Sequence, residues 1–410
     1  LKKTITLIGV NFYPEDTAIG LYSTQMLTFL AEKGYKINVI TGFPYYPQWK
    51  VLDSYKNKPI FYKEIINNIT LYRYKQYVPK NPTFLKRIIH LIDFSFGAFI
   101  NSFKIKHTDL VIAVVPFTST VLLGWLLKKR LKAKLWTHIQ DFEFDAALQT
   151  GVSNNKNLWL TKGLHKIESY LLNRSNLVST ISLSMLNKLK TKTKSNTYYF
   201  PNWVSQDHFN SISNKSHPYF KSNKFKILYS GNIGDKQNWL FFIDFLNKMA
   251  NINNIEVCIV GQGAKKAWLS TKLKNFDFVS FYDPIPLGQL NDLLCSADLH
   301  ILFQKDDVLD TVMPSKILGM MASGKPSLIT GNSQSEVSKI INRSKGGIYL
   351  QNNLAEVVNS FILLQSNNNY CKLLGKNARD YILKNYNPNI ILPNFELTLK
   401  NLLKKPILLS

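Results

Sequence analysis

Residues 310–326 read D-T-V-M-P-S-K-I-L-G-M-M-A-S-G-K-P. Pro314 suits the first turn of a helix, so the peptide N–H groups of Ser315 and Lys316 would point out of the helix N-terminus beside a cationic side chain. That combination is a phosphate site. Upstream, Y-S-G-N-I-G-D-K-Q-N-W follows an apolar run ending at Tyr229. There Gly231 and Gly234 permit close backbone approach, and Lys236 offers a second ammonium at a helix start, a way to neutralise a diphosphate. I-V-G-Q-G, at 259–263, repeats the tight strand-to-helix pattern with Gly261 and Gly263.

In the first half, D-F-E-F-D sets Asp141, Glu143 and Asp145 directly after an apolar run ending at Gln140. A cluster at a strand's carboxyl end suits a polar substrate, and His138 and Asp141 are the pair placed to bind sugar hydroxyls or polarise an acceptor. The competing readings are a satisfied core histidine and, for Glu143 and Asp145, first-turn acids of a helix. Gly20, in N-F-Y-P-E-D-T-A-I-G, lies near a helix start whose free N–H groups favour an anion or a sugar hydroxyl. The segment lacks G-x-G-x-x-G, which disfavours an ordinary dinucleotide site. No histidine has metal-like spacing and no D-x-D occurs, while Cys258, Cys295 and Cys371 are odd in number and widely spaced. A zinc site and a disulfide framework are disfavoured, and a reducing cytosol fits.

These residues need strands to hold them. Short apolar runs alternate with helical patterns, the signature of parallel sheets with crossover helices. Strands are expected at Ile5–Val10, Ile37–Thr41, Leu110–Val114, Leu135–Gln140 and Leu177–Thr180. A second set is expected at Phe225–Tyr229, Ile255–Val260, Val279–Phe281, Leu299–Phe303, Ser327–Ile329 and Gly347–Leu350. The fold class is α/β, with a Rossmann-like domain over 1–203, a second over 204–385 and a helical tail over 386–410. Pro201–Lys224, rich in Asn, Ser and Lys, reads as linker and surface loop. Leu110–Leu127 has the length of a membrane span, but Pro116, Thr118, Ser119, Thr120 and Gly124 make it a strand, a loop and a helix start. No signal peptide is expected, because Ile5–Val10 is short and Asn11 follows.

P-S-K followed by M-A-S-G-K-P, with S-G-N-I-G-D-K upstream, resembles the nucleotide-sugar domain of the GT-B glycosyltransferases of family 4, the retaining group. N-F-Y-P-E-D-T-A-I-G, F-P-Y-Y-P-Q-W-K-V, Y-V-P-K-N-P-T-F-L-K-R, H-I-Q-D-F-E-F-D and F-P-N-W narrow the likeness to colanic-acid-type fucosyltransferases and the related amino-sugar transferases. The resemblance implies two facing Rossmann-like domains with a cleft between them and a C-terminal closing helix. It implies metal-independent transfer of a deoxyhexose, L-fucose from GDP-fucose, to a polyprenyl-diphosphate-linked glycan of colanic acid, capsule or O-antigen at the inner face of the cytoplasmic membrane. In that picture Lys236 and Lys316, with Pro314 and Ser315 at the helix start, hold the donor diphosphate. Gly20, Gly231 and Asn232 line its path, Gly263 and the loop at Tyr282 and Asp283 border the nucleoside, and His138 and Asp141 face sugar and acceptor. The family's paired glutamates, E-x7-E, fall at Thr311 and Gly319, which leaves Asp310 as the nearest acid to the first; the arginine of its S-G-R loop is Asn232.

The chain carries 51 Lys and Arg against 26 Asp and Glu, a net +25 over 410 residues. Residues 1–203 hold 28 basic and 11 acidic side chains, hence +17, and the remainder +8. With R-I-I-H-L-I-D-F-S-F-G-A-F-I-N-S-F-K-I-K at 87–106 and K-K-R-L-K-A-K at 128–134, the first half reads as a peripheral surface for anionic membrane, through an interfacial helix and a cationic patch. A core helix and a solvated helix end are the alternatives. Nucleic-acid binding is disfavoured, since no zinc, helix-turn-helix or RNP signature accompanies the charge. A 2-acetamido-deoxyhexose transferase using a UDP-sugar is the runner-up, and a GT-B sugar-nucleotide epimerase the more distant alternative.

Overall fold

The computed structural model describes residues 2–404 except 17, 117, 143–157, 205–212, 214, 251, 253 and 309–314. The chain forms two compact units, Leu1–Pro201 with Leu392–Ser410, and Asn202–Ile391.

The first unit runs β1 (Thr4–Ile8), α1 (Ala18–Glu32), β2 (Lys36–Gly42), β3 (Phe61–Ile66), β4 (Ile69–Tyr74), α2 (Phe84–Ser102), β5 (Leu110–Val115), α3 (Ser119–Leu131), β6 (Lys134–Ile139), α4 (Leu158–Leu172), β7 (Leu177–Thr180), α5 (Leu183–Lys192) and β8 (Thr197–Tyr199). Its strands lie in the order β3-β4-β2-β1-β5-β6-β7-β8. Every neighbouring pair is parallel except β3 and β4. The central strands are buried along their whole length because crossover helices cover both faces of a parallel sheet, which is why they read as continuous apolar runs.

β3 and β4 were not legible as such runs. They form a hairpin whose turn residues Asn67 and Asn68 take φ of 49° and 63°, the left-handed pair a two-residue turn requires. β3 lies at the edge, half-buried or exposed throughout, so its residues alternate. The stretch that has the length of a membrane span resolves into β5 and α3. Among the described residues no helix is long and apolar enough to cross a membrane.

The second unit runs β9 (Phe225–Ser230), α6 (Trp239–Met249), β10 (Ile255–Val260), α7 (Lys266–Lys272), β11 (Val279–Tyr282), α8 (Leu287–Ser296), β12 (Leu299–Phe303), α9 (Ser315–Ala322), β13 (Ser327–Thr330), α10 (Glu336–Ser344), β14 (Ile348–Leu350), α11 (Leu354–Ser366) and α12 (Asn368–Asn385). Its sheet order is β11-β10-β9-β12-β13-β14, parallel throughout. Strand order reverses between β9 and β12, and in open α/β sheets the crevice at the carboxyl ends of such a pair is where ligands bind. Within the segment read as linker, Trp203, Val204 and Phe220 are buried; Val204 donates its N–H to Tyr386 O at 3.0 Å.

The last helix, α13 (Pro388–Lys404), carries Pro393 and returns the chain to the first unit. There Phe395 stacks on Phe200 with ring centres 4.7 Å apart and packs 4.9 Å from Trp136.

Candidate functional site

In the second unit the loops after β9 and β10 are laid directly on one another. Gly231 N donates to Val260 O, Ile233 N to Gln262 O and Lys265 N to Ile233 O, at 2.9, 2.9 and 3.0 Å. Glycine is required at 261, where φ is 158° and a Cβ would stand 1.9 Å from Gly231 O. A Cβ at Gly263 would likewise meet Ile233 O at 2.3 Å and Asn232 Oδ1 at 2.6 Å. These glycines therefore fasten the two loops together, and Gly263 serves that packing.

Lys316, in the first turn of α9, reaches across this arrangement. Its Nζ lies 3.0 Å from where a Gly231 Cβ would stand, so a side chain there would press on the ammonium, and the φ of 145° at Gly231 itself favours glycine. The Nζ is also 3.4 Å from the Tyr229 hydroxyl and 5.1 Å from the centre of that ring. The hydroxyl in turn donates to Asn232 O at 2.6 Å, and burial pushes its pKa far up, so it stays a neutral donor. A bare peptide edge, an ammonium and the start of a helix thus converge at the switch point of β9 and β12. That set has the polarity to favour an anion placed beside it. Tyr229 is the residue that sequence reasoning does not single out here, since along the chain it is only the end of an apolar run.

Asn232 and Lys236 are exposed on the same loop. The Lys236 carbonyl accepts from Lys305 N at 3.1 Å and Asn238 N donates to Phe303 O at 2.9 Å, which ties the loop to the end of β12. Tyr282 is placed differently from expectation. Its ring stacks on Tyr219 at 3.8 Å and its hydroxyl donates to Tyr219 O at 3.2 Å, so one face is already covered. Asp283 accepts from Lys266 Nζ at 2.5 Å and Gln262 Nε2 at 2.6 Å, and the lysine above all holds its pKa below the usual carboxylate range. Asp310 and Pro314 lie outside the described residues. Ser315 begins α9.

In the first unit His138 is a correction to expectation. It sits on β6, 5% exposed, its ring tilted against Phe200 with centres 5.1 Å apart. Its Nδ1 is 2.9 Å from Ser179 Oγ and its Nε2 2.9 Å from Gln140 Nε2. With the Gln140 amide donating to Nε2, Nδ1–H donates to Ser179 Oγ, which also accepts from Trp136 Nε1 at 2.7 Å. Burial pushes the histidine pKa down to about 3, so the ring is neutral near pH 7 and both nitrogens are used. Residue type alone does not say which face of a strand a histidine takes. Asp141, two residues past the end of β6, is exposed. Glu143 and Asp145 lie outside the described residues.

Gly20 also has a packing role: it lies inside α1, where a Cβ would stand 2.9 Å from both Cβ and O of Glu15. Glu15 is buried, accepting from Asn11 Nδ2 at 2.9 Å and from the backbone N–H groups of Tyr45 and Tyr46 at 2.8 Å each. Burial raises its pKa against those hydrogen bonds. It thereby clamps the loop after β2 to the loop after β1. Trp49, on the clamped loop, adopts φ of 53°, an outlier for so bulky a residue. Its ring packs edge-on against Tyr45 at 5.3 Å and His90 at 5.7 Å, and the Arg87 guanidinium lies 5.4 Å from its centre.

The cationic patch at 128–134 is largely consumed by structure. Lys134 is buried on β6, Lys128 Nζ donates to Arg174 O at 2.8 Å, and Arg130 donates to Ser102 O and Ile105 O. Among the described residues no three His, Cys, Asp or Glu side chains gather as a metal site.

Two Rossmann-like parallel sheets in succession, each flanked by crossover helices, are the architecture of GT-B glycosyltransferases, and comparison with known proteins agrees. The chain belongs to the group 1 glycosyl transferases, whose family description, "Glycosyl transferases group 1", matches residues 224–367. It is 33% identical over 362 residues to the putative colanic acid biosynthesis glycosyl transferase WcaI of Escherichia coli (strain K12), covering 82% of this chain and 85% of that one. Among solved structures it resembles the sucrose-phosphate synthase of Thermosynechococcus elongatus, with TM-score 0.74 at 15% identity over 98% and 99% of the two chains. It also resembles WaaG, a glycosyltransferase involved in lipopolysaccharide biosynthesis, with TM-score 0.66 at 12% identity over 95% and 98%. HepE of Anabaena in complex with UDP-glucose gives 0.65 at 13% identity over 97% and 99%.

Proposed function

We propose that this glycosyltransferase is a retaining, metal-independent enzyme. In this reading it moves a deoxyhexose, L-fucose from GDP-fucose, to a lipid-linked glycan during bacterial surface polysaccharide synthesis. The observation that carries the donor side is the Lys316 ammonium over Gly231 and Tyr229, where a nucleoside diphosphate leaving group would be neutralised. Asp141 supplies the carboxylate that orients acceptor or sugar hydroxyls. The likeness to a colanic acid biosynthesis enzyme supports the pathway class. UDP-glucose in the HepE complex supports keeping UDP-linked 2-acetamido-deoxyhexoses as the second reading.

The acceptor side rests on α2. Leu85, Ile88, Ile89, Ile92, Phe96 and Phe99 form one exposed stripe at helical spacing, with Ile92 and Phe96 each 61% exposed, and Phe103 extends it. Exposed Lys80, Lys86 and Arg87 flank one end, and Lys104 and Lys106 the other. An apolar stripe between cations matches an anionic phospholipid leaflet, so the enzyme works as a peripheral protein at the cytoplasmic side of the membrane.

The test is thermal stabilisation by a panel of GDP- and UDP-linked sugars with and without chelator, because a donor that binds only the folded state raises its stability by mass action. Stabilisation by GDP-fucose, undiminished by EDTA, is expected. Stabilisation by UDP-acetamido sugars alone selects the second reading, and a strict metal requirement removes the metal-independent mechanism.

A further inference from the structure

We infer that the first turn of α2 and the loop after β2 form a subsite for the phosphate of a lipid headgroup, with Arg87 as its anion ligand and Trp49 as the plate that holds Arg87. The inference rests on the membrane reading above, in which that phosphate belongs to the diphosphate carrying the acceptor glycan.

The geometry carries it in three ways. First, Arg87 is an exposed side chain held in place. Its guanidinium lies against the Trp49 indole at 5.4 Å, an arrangement that restrains a long side chain while leaving its edge N–H donors available. Among the described residues no carboxylate pairs with it. The nearby acids are otherwise engaged: Asp93 accepts from the Tyr74 hydroxyl at 2.9 Å and Tyr77 N at 2.5 Å, and Glu15 is buried under Tyr45 and Tyr46.

Second, the plate is held at a conformational cost. A tryptophan at φ 53° persists only where its surroundings dictate the backbone, and here they do. Glu15 pins the N–H groups of Tyr45 and Tyr46. Lys50 N donates to Tyr45 O at 3.2 Å and Leu52 N to Pro44 O at 3.0 Å. Since His90 Nδ1 faces the Tyr77 carbonyl, it must carry the proton, so Nε2 accepts from the Tyr45 hydroxyl at 3.0 Å. Burial lowers the His90 pKa, which keeps that ring a neutral acceptor. Strain of this kind, stabilised by a buried carboxylate and a buried histidine, marks a surface built to present something.

Third, what is presented has two characters. Lys86 stands beside Arg87, Lys80 precedes the helix, and Leu85, Ile88 and Ile89 are exposed within the same turn and the next. A soluble anion has no use for those three aliphatic side chains, and an uncharged lipid has none for the cations. A phosphate attached to a lipid chain uses both, with Arg87 able to take two phosphate oxygens through its planar fork.

The test is co-sedimentation of the full chain with phosphatidylcholine vesicles doped with polyprenyl diphosphate, against charge-matched vesicles doped with phosphatidylglycerol. Wild type should prefer the diphosphate by roughly tenfold or more, the scale of a charge-assisted contact. Arg87→Ala should erase that preference while keeping most phosphatidylglycerol binding and an unchanged melting temperature. Arg87→Lys should restore only part, and Trp49→Ala should act in the same direction as Arg87→Ala. A preference that survives Arg87→Ala, or equal binding of the two lipids, overturns the subsite while leaving membrane attachment standing. Soluble inorganic pyrophosphate competing as strongly as the lipid would overturn the lipid source in favour of a free anion. Failure to bind any anionic vesicle overturns the membrane reading and the subsite with it.

Discussion

Replacing Lys316 by alanine separates the anion site of the second unit from mere packing. In the folded protein its Nζ makes a long contact of 3.4 Å to the Tyr229 hydroxyl and stands 5.1 Å over that ring. A cation over an aromatic ring is worth about 0.5–1 kcal/mol when partly exposed, so folding should lose on the order of 1 kcal/mol or less. A bound nucleoside diphosphate would lose a charge-assisted contact of about 1.5–3 kcal/mol. Its Kd should therefore rise about 10- to 150-fold. Tyr229→Phe removes the hydroxyl that faces the ammonium and donates to Asn232 O at 2.6 Å, so it should weaken binding by about fivefold, one ordinary hydrogen bond. Isothermal titration with GDP and UDP, beside a urea melt of each variant, measures both quantities. If Kd for Lys316→Ala stays within about twofold of wild type while stability falls by several kcal/mol, the lysine is a prop for the Gly231 loop and the anion site lies elsewhere.

Asp141→Asn keeps shape and removes charge; turnover should fall at least about 100-fold with donor affinity nearly unchanged, whereas near-normal turnover with a lower melting temperature would make the residue structural. His138 and His300 are buried, with pKa values pushed from 6.5 down to about 3. Above pH 6.5 neither state binds the proton. Below it the unfolded chain does and the folded one does not, so stability should drop as pH falls from about 6.5 towards 3, by up to about 1.4 kcal/mol per pH unit for each histidine. Urea melts between about pH 7 and 5 should show this, with a shallower slope for His138→Gln; identical slopes would refute the buried neutral ring. Gly261→Ala drives a methyl group to within 1.9 Å of Gly231 O, and should destabilise the second unit by about 3 kcal/mol or more and lower nucleotide affinity with it, as calorimetry would record.

Where a strand is buried on both faces its sequence announces it: β7, β10 and β12 match the apolar runs Leu177–Thr180, Ile255–Val260 and Leu299–Phe303 residue for residue. The hairpin of β3 and β4 escaped because its edge strand is half solvated and its turn is Asn-Asn without glycine. The glycine turns after β9 and β10 and the lysine at the start of α9 were legible because glycines at a turn and a lysine in a helix's first turn are local signals. The Tyr229 hydroxyl was not, since an aromatic ending an apolar run looks like core. His138 was misplaced because facing direction depends on the neighbours Ser179 and Gln140 on either side of the ring. The pairing of Trp49 with Arg87 is invisible along the chain; it exists only once α2 lies against β2 and Glu15 has fixed the loop between.

The return of α13 to the first unit makes that unit discontinuous, with the whole second unit spliced between its two parts. The aromatic cluster of Trp136 and Phe200 is completed by Phe395, so its last member arrives only after every strand of the other sheet has been made. The second unit is a single stretch and can close by itself. The first must hold an unfinished core while the intervening chain folds, and that exposed ring surface is where premature association with other chains would start. No single cut yields both halves intact: cleavage near Asn202 leaves a first unit without its Phe395, and the missing helix travels with the wrong fragment.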